Sequence, residues 1–137
     1  MTYLLDTNIV SELRKGPACH EGVAAWIDGV DDADLALSVL VVGEIRRGID
    51  AVRRRDARRA GRLEHWLTGL LADHAERILT VDRPVAEEWG RLSAIRSGSV
   101  VDLLMAATAR VHGLTLVTRN VRDVEWTGVA VLNPFTS

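Results

Sequence analysis

The sequence predicts an α/β sandwich around a central, mostly parallel sheet of four to five strands, and three observations carry that prediction. Short apolar runs suited to buried strands alternate with longer segments whose apolar residues recur at helical spacing. The first run, Tyr3-Leu4-Leu5, passes straight into Asp6 and then into a helical pattern at Ile9, Val10 and Leu13. Helix boundaries are marked by the residues that usually make them, with Asp82-Arg83-Pro84 opening one helix and Gly113 closing another.

Taken in order, the first strand and a helix capped by Thr7 or Asn8 end near Lys15-Gly16, and Pro17 is placed to open a second helix carrying Val23, Trp26 and Ile27. Asp31-Asp32 reads as a turn, Leu35 to Val39 as a second strand, and Leu40 to about Arg54 as a helix. Asp56 caps a further helix that runs past Trp66, Leu67, Leu70 and Leu71 to about Ala75. Ile78 to Val81 forms a third strand, and the helix opened by Asp82 is broken at Gly98. Val100 to His112 is helical, Leu114 to Thr118 is a fourth strand, and a turn at Asn120 to Val124 leads to a last strand at Val129 to Leu132. Right-handed crossovers would bring the carboxyl ends of these strands to one edge of the sheet.

A chain of 137 residues is long enough to bury one substantial core and too short for two ordinary domains, so a single domain over 1–137 is expected. Its single cysteine, Cys19, cannot make an internal disulfide, which fits a reducing cytoplasm, and no long apolar run suggests a membrane span or an export signal. The net charge of -2 excludes a globally basic binder of duplex nucleic acid. Arginines do cluster between Arg46 and Arg62, where they either guide a phosphate backbone or form a solvated helix face laced with Asp50, Asp56 and Glu64. Trp26, Trp66, Trp89 and Trp126 fit core packing better than base stacking, and the four histidines show no ligand spacing.

The chemistry lies in acids at the strand ends. Asp6 follows the first strand, where a carboxylate either caps a helix or meets a ligand at the sheet edge. Glu44 falls within a stripe of Leu37, Val41, Gly48 and Ala51, where it needs a charged or hydrogen-bonding partner, unless an arginine pairs it or it lies at a wet margin. Asp102 opens a helix whose same-face neighbours are Ala106 and Ala109, small enough for close approach to the sheet, although Ser99 three residues earlier also makes it a capping-box acid. Asn120 follows the fourth strand as Asp6 follows the first, with Asp123 a turn away as either a further acid or a cap. Convergent carboxylates raise one another's pKa, and a divalent cation relieves the repulsion. An all-oxygen set without histidine or cysteine points to Mg²⁺ or Mn²⁺ rather than zinc, and to phosphodiester hydrolysis by water without a covalent nucleophile.

Three segments carry a family resemblance: YLLDTNIVSEL, LSVLVVGEIRRGI and VDLLMAATARVHGLTLVTRNVRDVEWTGVAVLNPF. Together they resemble the PIN-domain ribonucleases of the VapC toxin type. The resemblance implies a PIN-like three-layer α/β/α sandwich, Mg²⁺-dependent endoribonuclease activity, homodimerisation and inhibition by a cognate VapB-type antitoxin, through which alone DNA would be met. It places the family's first three acids on Asp6, Glu44 and Asp102 as metal ligands, and its fourth acidic position on Asn120, leaving Asp123 as the residue that could restore the charge. Thr7, Asn8 and Thr118 match polar companions of the site. The approach to Asp102, Ser97-Gly98-Ser99-Val100-Val101, lacks the proline associated with it in the family. The alternative is a catalytically weak PIN-like module that acts mainly in antitoxin-linked autoregulation of its operon. The sequence does not name the RNA.

Overall fold

The computed structural model describes residues 1–136. Strand β1 (Tyr3–Leu5) leads through Asp6 into α1 (Thr7–Leu13), and α2 (Glu21–Asp28) precedes β2 (Leu35–Ser38). Two long helices follow, α3 (Val39–Arg53) and α4 (Ala57–Asp73), then β3 (Ile78–Leu79), α5 (Arg83–Ile95) and α6 (Val100–His112). The chain closes with β4 (Thr115–Val117), the one-turn α7 (Val121–Val124) and β5 (Val131–Leu132).

The five strands form one sheet in the order β3-β2-β1-β4-β5, and every neighbouring pair is parallel. The apolar runs of the sequence explain this. Leu35, Ala36 and Leu37 are all buried, as are Leu4 with Leu5 and Leu116 with Val117, so consecutive residues that point to opposite faces are both covered. From β1 the chain builds outward through β2 to β3, then returns to the other flank of β1 as β4. The connections after β1 and β4 therefore part to opposite sides, which opens a crevice at the carboxyl end of the sheet. Two backbone bonds carry the ladder into that crevice: Asp6 N–H donates to the Val117 carbonyl at 2.9 Å, and Thr118 N–H to the Leu132 carbonyl at 3.0 Å.

The helices that frame the crevice are set by their caps. Ser38 ends β2 and caps α3 at once, its Oγ accepting from Leu40 N–H at 3.0 Å, so no loop intervenes between strand and helix. Asp82 caps α5 and Ser99 caps α6 in the same way. Gly113 closes α6 at φ 66°, in the left-handed region where glycine carries no steric penalty. Helix α6 is the most deeply set, with Leu103, Met105, Ala106, Ala107 and Ala109 buried, so the small residues expected to bring it against the sheet do so.

Three local expectations are corrected. Pro17 lies in a separate 3₁₀ turn over Gly16–Ala18, and α2 begins only after His20, whose Nδ1 accepts from Gly22 N–H at 3.0 Å. An imidazole acting as cap is not signalled by spacing. Val81 lies beyond β3 and is exposed. The buried stripe of α3 is Val41, Ile45 and Ile49, whereas Gly48 and Ala51 face solvent. Each tryptophan packs against the core, Trp26 edge-on to Tyr3 at 5.3 Å between ring centroids. In the arginine run, Arg46 forks onto both oxygens of Glu64 at 2.7 and 2.6 Å and Arg53 meets the same carboxylate at 3.0 Å, which ties α3 to α4. For those two residues the solvated ion-pair reading holds.

Candidate active site

Asp6, Glu44, Asp102 and Asn120 line one open cleft of about 500 Å³, with Thr7, Asn8, Arg47, Ser99 and Val101 completing its wall. The fold brings them there from four places: the end of β1, the second turn of α3, the first turn of α6 and the end of β4. Asp123 stands on α7 in an adjoining hollow and does not line the cleft. Its charge is nevertheless felt at Asp102.

Asp6 is the fixed point, only 8% exposed. Its Oδ1 accepts from Thr7 N–H at 2.7 Å, and its Oδ2 accepts from the Thr118 hydroxyl at 2.7 Å and from Asn8 Nδ2 at 3.3 Å. It therefore caps α1 itself, in place of Thr7 or Asn8, and it also lines the cleft. Thr118, itself buried, accepts from Asn120 N–H at 3.0 Å while donating to Asp6, which locks the turn after β4 to the end of β1. On the other side the Thr7 hydroxyl donates to Glu44 Oε1 at 2.6 Å. Glu44 lies beside the buried stripe of α3 rather than within it, its side chain 29% exposed, and Arg47 approaches its Oε2 at 3.9 Å. Glu44 thus lies at the wet margin of the stripe, with the Thr7 hydroxyl as its direct hydrogen-bond partner and Arg47 at the outer limit of ion-pair distance.

Sequence reasoning named Thr7 and Thr118 as polar companions without their roles. A hydroxyl can donate to a carboxylate while accepting a backbone N–H, which is why threonine serves at a junction of two strand ends. No spacing rule signals that pairing across 112 residues.

The electrostatics are those of crowded acids. Burial pushes the Asp6 carboxyl above its ordinary range; the bonds from Thr118 and Thr7 oppose the rise, and the neighbouring Glu44 charge adds to it. Asp102 is raised as well, first by burial and then by the charges of Asp6, Asp123 and Glu44. Ser99 Oγ accepts from Asp102 N–H at 3.4 Å, but among the described residues the Asp102 carboxylate has no hydrogen-bond partner, so the capping box is only half made. A donor set of carboxylates and one amide, gathered against mutual repulsion, suits a hard divalent cation. Among the described residues no three acidic, histidine or cysteine side chains close to the separation at which all would ligate one ion. Mg²⁺ fits such an open set because it keeps several waters and takes one or two carboxylates directly.

This crowding has a measurable consequence. Because the Asp102 pKa is raised on folding, its ionisation opposes the folded state, and stability is gained as pH falls through the raised value toward the ordinary 3.8. Asp102→Asn is thus expected to stabilise the metal-free protein at pH 7, by no more than about a few tenths of a kcal/mol because solvent screens this partly exposed carboxyl. The gain should fade on acidification. Urea unfolding of both proteins in chelator at pH 7 and pH 4 checks this.

Comparison with known proteins agrees with the architecture. The chain matches the PIN domain family over residues 3–125. It is 35% identical over 140 residues to toxin FitB of Neisseria gonorrhoeae, covering 96% of this chain and 97% of that protein. It is 34% identical over 138 residues to VapC ribonuclease Y4jK of Sinorhizobium fredii, covering 96% of both. Among solved structures, FitAcB from Neisseria gonorrhoeae superposes with a TM-score of 0.89 at 32% identity, over 99% of this chain and all of that one. FitAB bound to an IR36 DNA fragment gives 0.88 at 31% identity, over 99% of this chain and 97% of that one. With its five-stranded parallel sheet and its polar residues gathered at the β1 and β4 ends, the chain belongs to the PIN domain family.

Proposed function

We propose that this protein is a single PIN domain over 1–137 acting as a Mg²⁺-dependent endoribonuclease toxin of the cytoplasm. The observation that supports this best is the convergence of Asp6, Glu44 and Asp102 on one solvent-open cleft, with a strained electrostatic balance that a cation would relieve. The names of its relatives, a VapC ribonuclease and a toxin, supply the substrate class.

In this reading Asp6, Glu44 and Asp102 would hold Mg²⁺, with Mn²⁺ as a substitute. When bound, the cation supplies charge neutralisation at a phosphoryl oxygen and a more acidic water. The chain supplies the rest. Asp6 is fixed by three hydrogen bonds, so it presents its charge without rotating away, and Thr7 restrains Glu44 likewise. Asn120 offers an amide that orients water or substrate, and Asp123 adds charge from the neighbouring turn. The exposed Arg47 at the cleft wall can meet the RNA backbone.

The partner in this proposal is a VapB-type antitoxin, as the pairing of FitA with FitB on DNA in the solved relative suggests. An antitoxin arginine entering the acidic cleft would neutralise it by charge-assisted hydrogen bonds. DNA would be met only through that partner, and the toxin would act as a homodimer. No described helix is long and apolar enough to cross a membrane.

Asn120 in place of an acid favours a second reading, a catalytically weak module serving mainly in autoregulation. Cleavage of total cellular RNA by purified, antitoxin-free protein separates the two. Discrete products in Mg²⁺ that disappear in chelator support the nuclease; a folded protein silent in Mg²⁺ and Mn²⁺ supports the module.

A further inference from the structure

Beside the acidic cleft lies a second and wider hollow of about 830 Å³, lined by Arg119, Asn120, Arg122, Asp123, Asn133 and Thr136 among others. Asn120 borders both spaces. Arg119 is exposed, and its guanidinium carbon lies 4.6 Å from the centroid of the Phe135 ring. That ring is held in turn: His20 packs against it at 5.1 Å, and Phe135 N–H donates to Asn133 Oδ1 at 3.0 Å. At the backbone, Arg119 N–H donates to Asn8 Oδ1 at 3.3 Å, and Asn8 Nδ2 donates to Asp6 Oδ2 at 3.3 Å. One side chain therefore links Arg119 to the fixed carboxylate of the site.

Arg46, Arg53 and Arg77 all rest on carboxylates, whereas Arg119 forms no ion pair among the described residues. An aromatic ring steadies it instead, and stacking restrains a guanidinium while leaving its hydrogen-bonding edge open. Asp123 and Glu125 also border the hollow, so it is no uniformly basic patch, and of its two arginines without an ion pair among the described residues, Arg119 and Arg122, Arg119 is the one that rests on an aromatic ring.

We propose that Arg119, supported on Phe135, is a positioning residue that holds a backbone phosphate of single-stranded RNA flanking the bond presented to the acidic cleft. The planar fork of arginine suits a phosphate, and a phosphate contact fixes the register of a strand without reading its sequence. The proposal rests on the nuclease reading in taking RNA as the ligand.

The test is fluorescence anisotropy of a labelled twelve-nucleotide RNA of mixed sequence, titrated with protein in chelator across a salt series, so that binding is read without cleavage. Arg119→Ala is expected to weaken binding about tenfold and to lower the salt slope by about 0.7, the loss of one phosphate contact on a single strand. Arg119→Lys should keep the slope, because it keeps the charge. Phe135→Leu should keep the slope and weaken binding by about threefold, through lost support of the guanidinium. Thermal unfolding of each variant reports that the fold is intact. An Arg119→Ala slope equal to that of wild type overturns the proposal, as does failure of the wild type to bind the RNA. Metal-dependent cleavage with an unchanged slope would remove Arg119 and leave the nuclease standing. A reduced slope in a protein that never cleaves would leave the phosphate contact and remove the nuclease.

Discussion

Asp6→Asn is expected to lower metal-dependent RNA cleavage by about 10³-fold, equivalent to ~4 kcal/mol of transition-state stabilisation, while leaving a folded protein. The substitution keeps the shape and one oxygen, which can go on accepting from Thr7 N–H, so the cap of α1 should survive, while the amide NH2 in the place of Oδ2 accepts neither the Thr118 hydroxyl nor Asn8 Nδ2. What it removes is the one negative charge held by three donors at the floor of the cleft. Burial works against that charge, so its removal offsets part of the cost of the bonds lost at Oδ2. Gel analysis of RNA products over time, with Asp28→Asn as an exposed control in a separate hollow shared with Asp34, checks the expectation. A rate within a few-fold of wild type would mean that Asp6 only caps α1.

Thr118→Val should cut cleavage by about 10- to 100-fold and destabilise the fold by about 1–3 kcal/mol, the usual cost of leaving buried polar groups unpaired. Valine matches threonine in shape, so packing is preserved. It cannot donate to Asp6 Oδ2 or accept from Asn120 N–H, however, and both bonds are lost together. The Thr118 bond is the largest influence holding the Asp6 pKa down, so that pKa should rise further and the acid limb of the pH–rate profile should move to higher pH. Thr118→Ser, which keeps the hydroxyl, should restore the profile. A purely structural role would lower stability without moving the profile.

Much of this fold was legible because the sequence states its periods and boundaries clearly. Strands buried on both faces read as short continuous apolar runs, and Asp82, Ser99 and Gly113 mark helix ends by chemistry that acts locally. The parallel order followed from alternation of strand and helix. What was not legible depends on contacts distant in sequence. The stripe of α3 reads at two phases, because Gly48 and Ala51 share helical spacing with Leu37 and Val41, and only the packing of Ile45 and Ile49 decides between them. Pro17 resembles a helix start until His20 takes the capping role.

The same division holds at the site. Acids at strand ends and in a helix's first turns are visible from position alone, since the topology carries strand ends to one edge. The hydroxyl bridges from Thr7 to Glu44 and from Thr118 to Asp6 are not, because each spans dozens of residues and joins elements brought together only by the sheet. The ring beneath Arg119 is a case of the same kind, with Phe135 reaching it from beyond β5.

The carboxylates gathered at the β1 end are expected to hold a divalent cation. The most direct measurement is a crystal structure of the protein grown with Mn²⁺, with anomalous data collected at the manganese edge. The account predicts an anomalous peak in the cleft in contact with Asp6 and at least one of Glu44 and Asp102. A well-ordered cleft without a peak, at Mn²⁺ concentrations that support RNA cleavage, would contradict it.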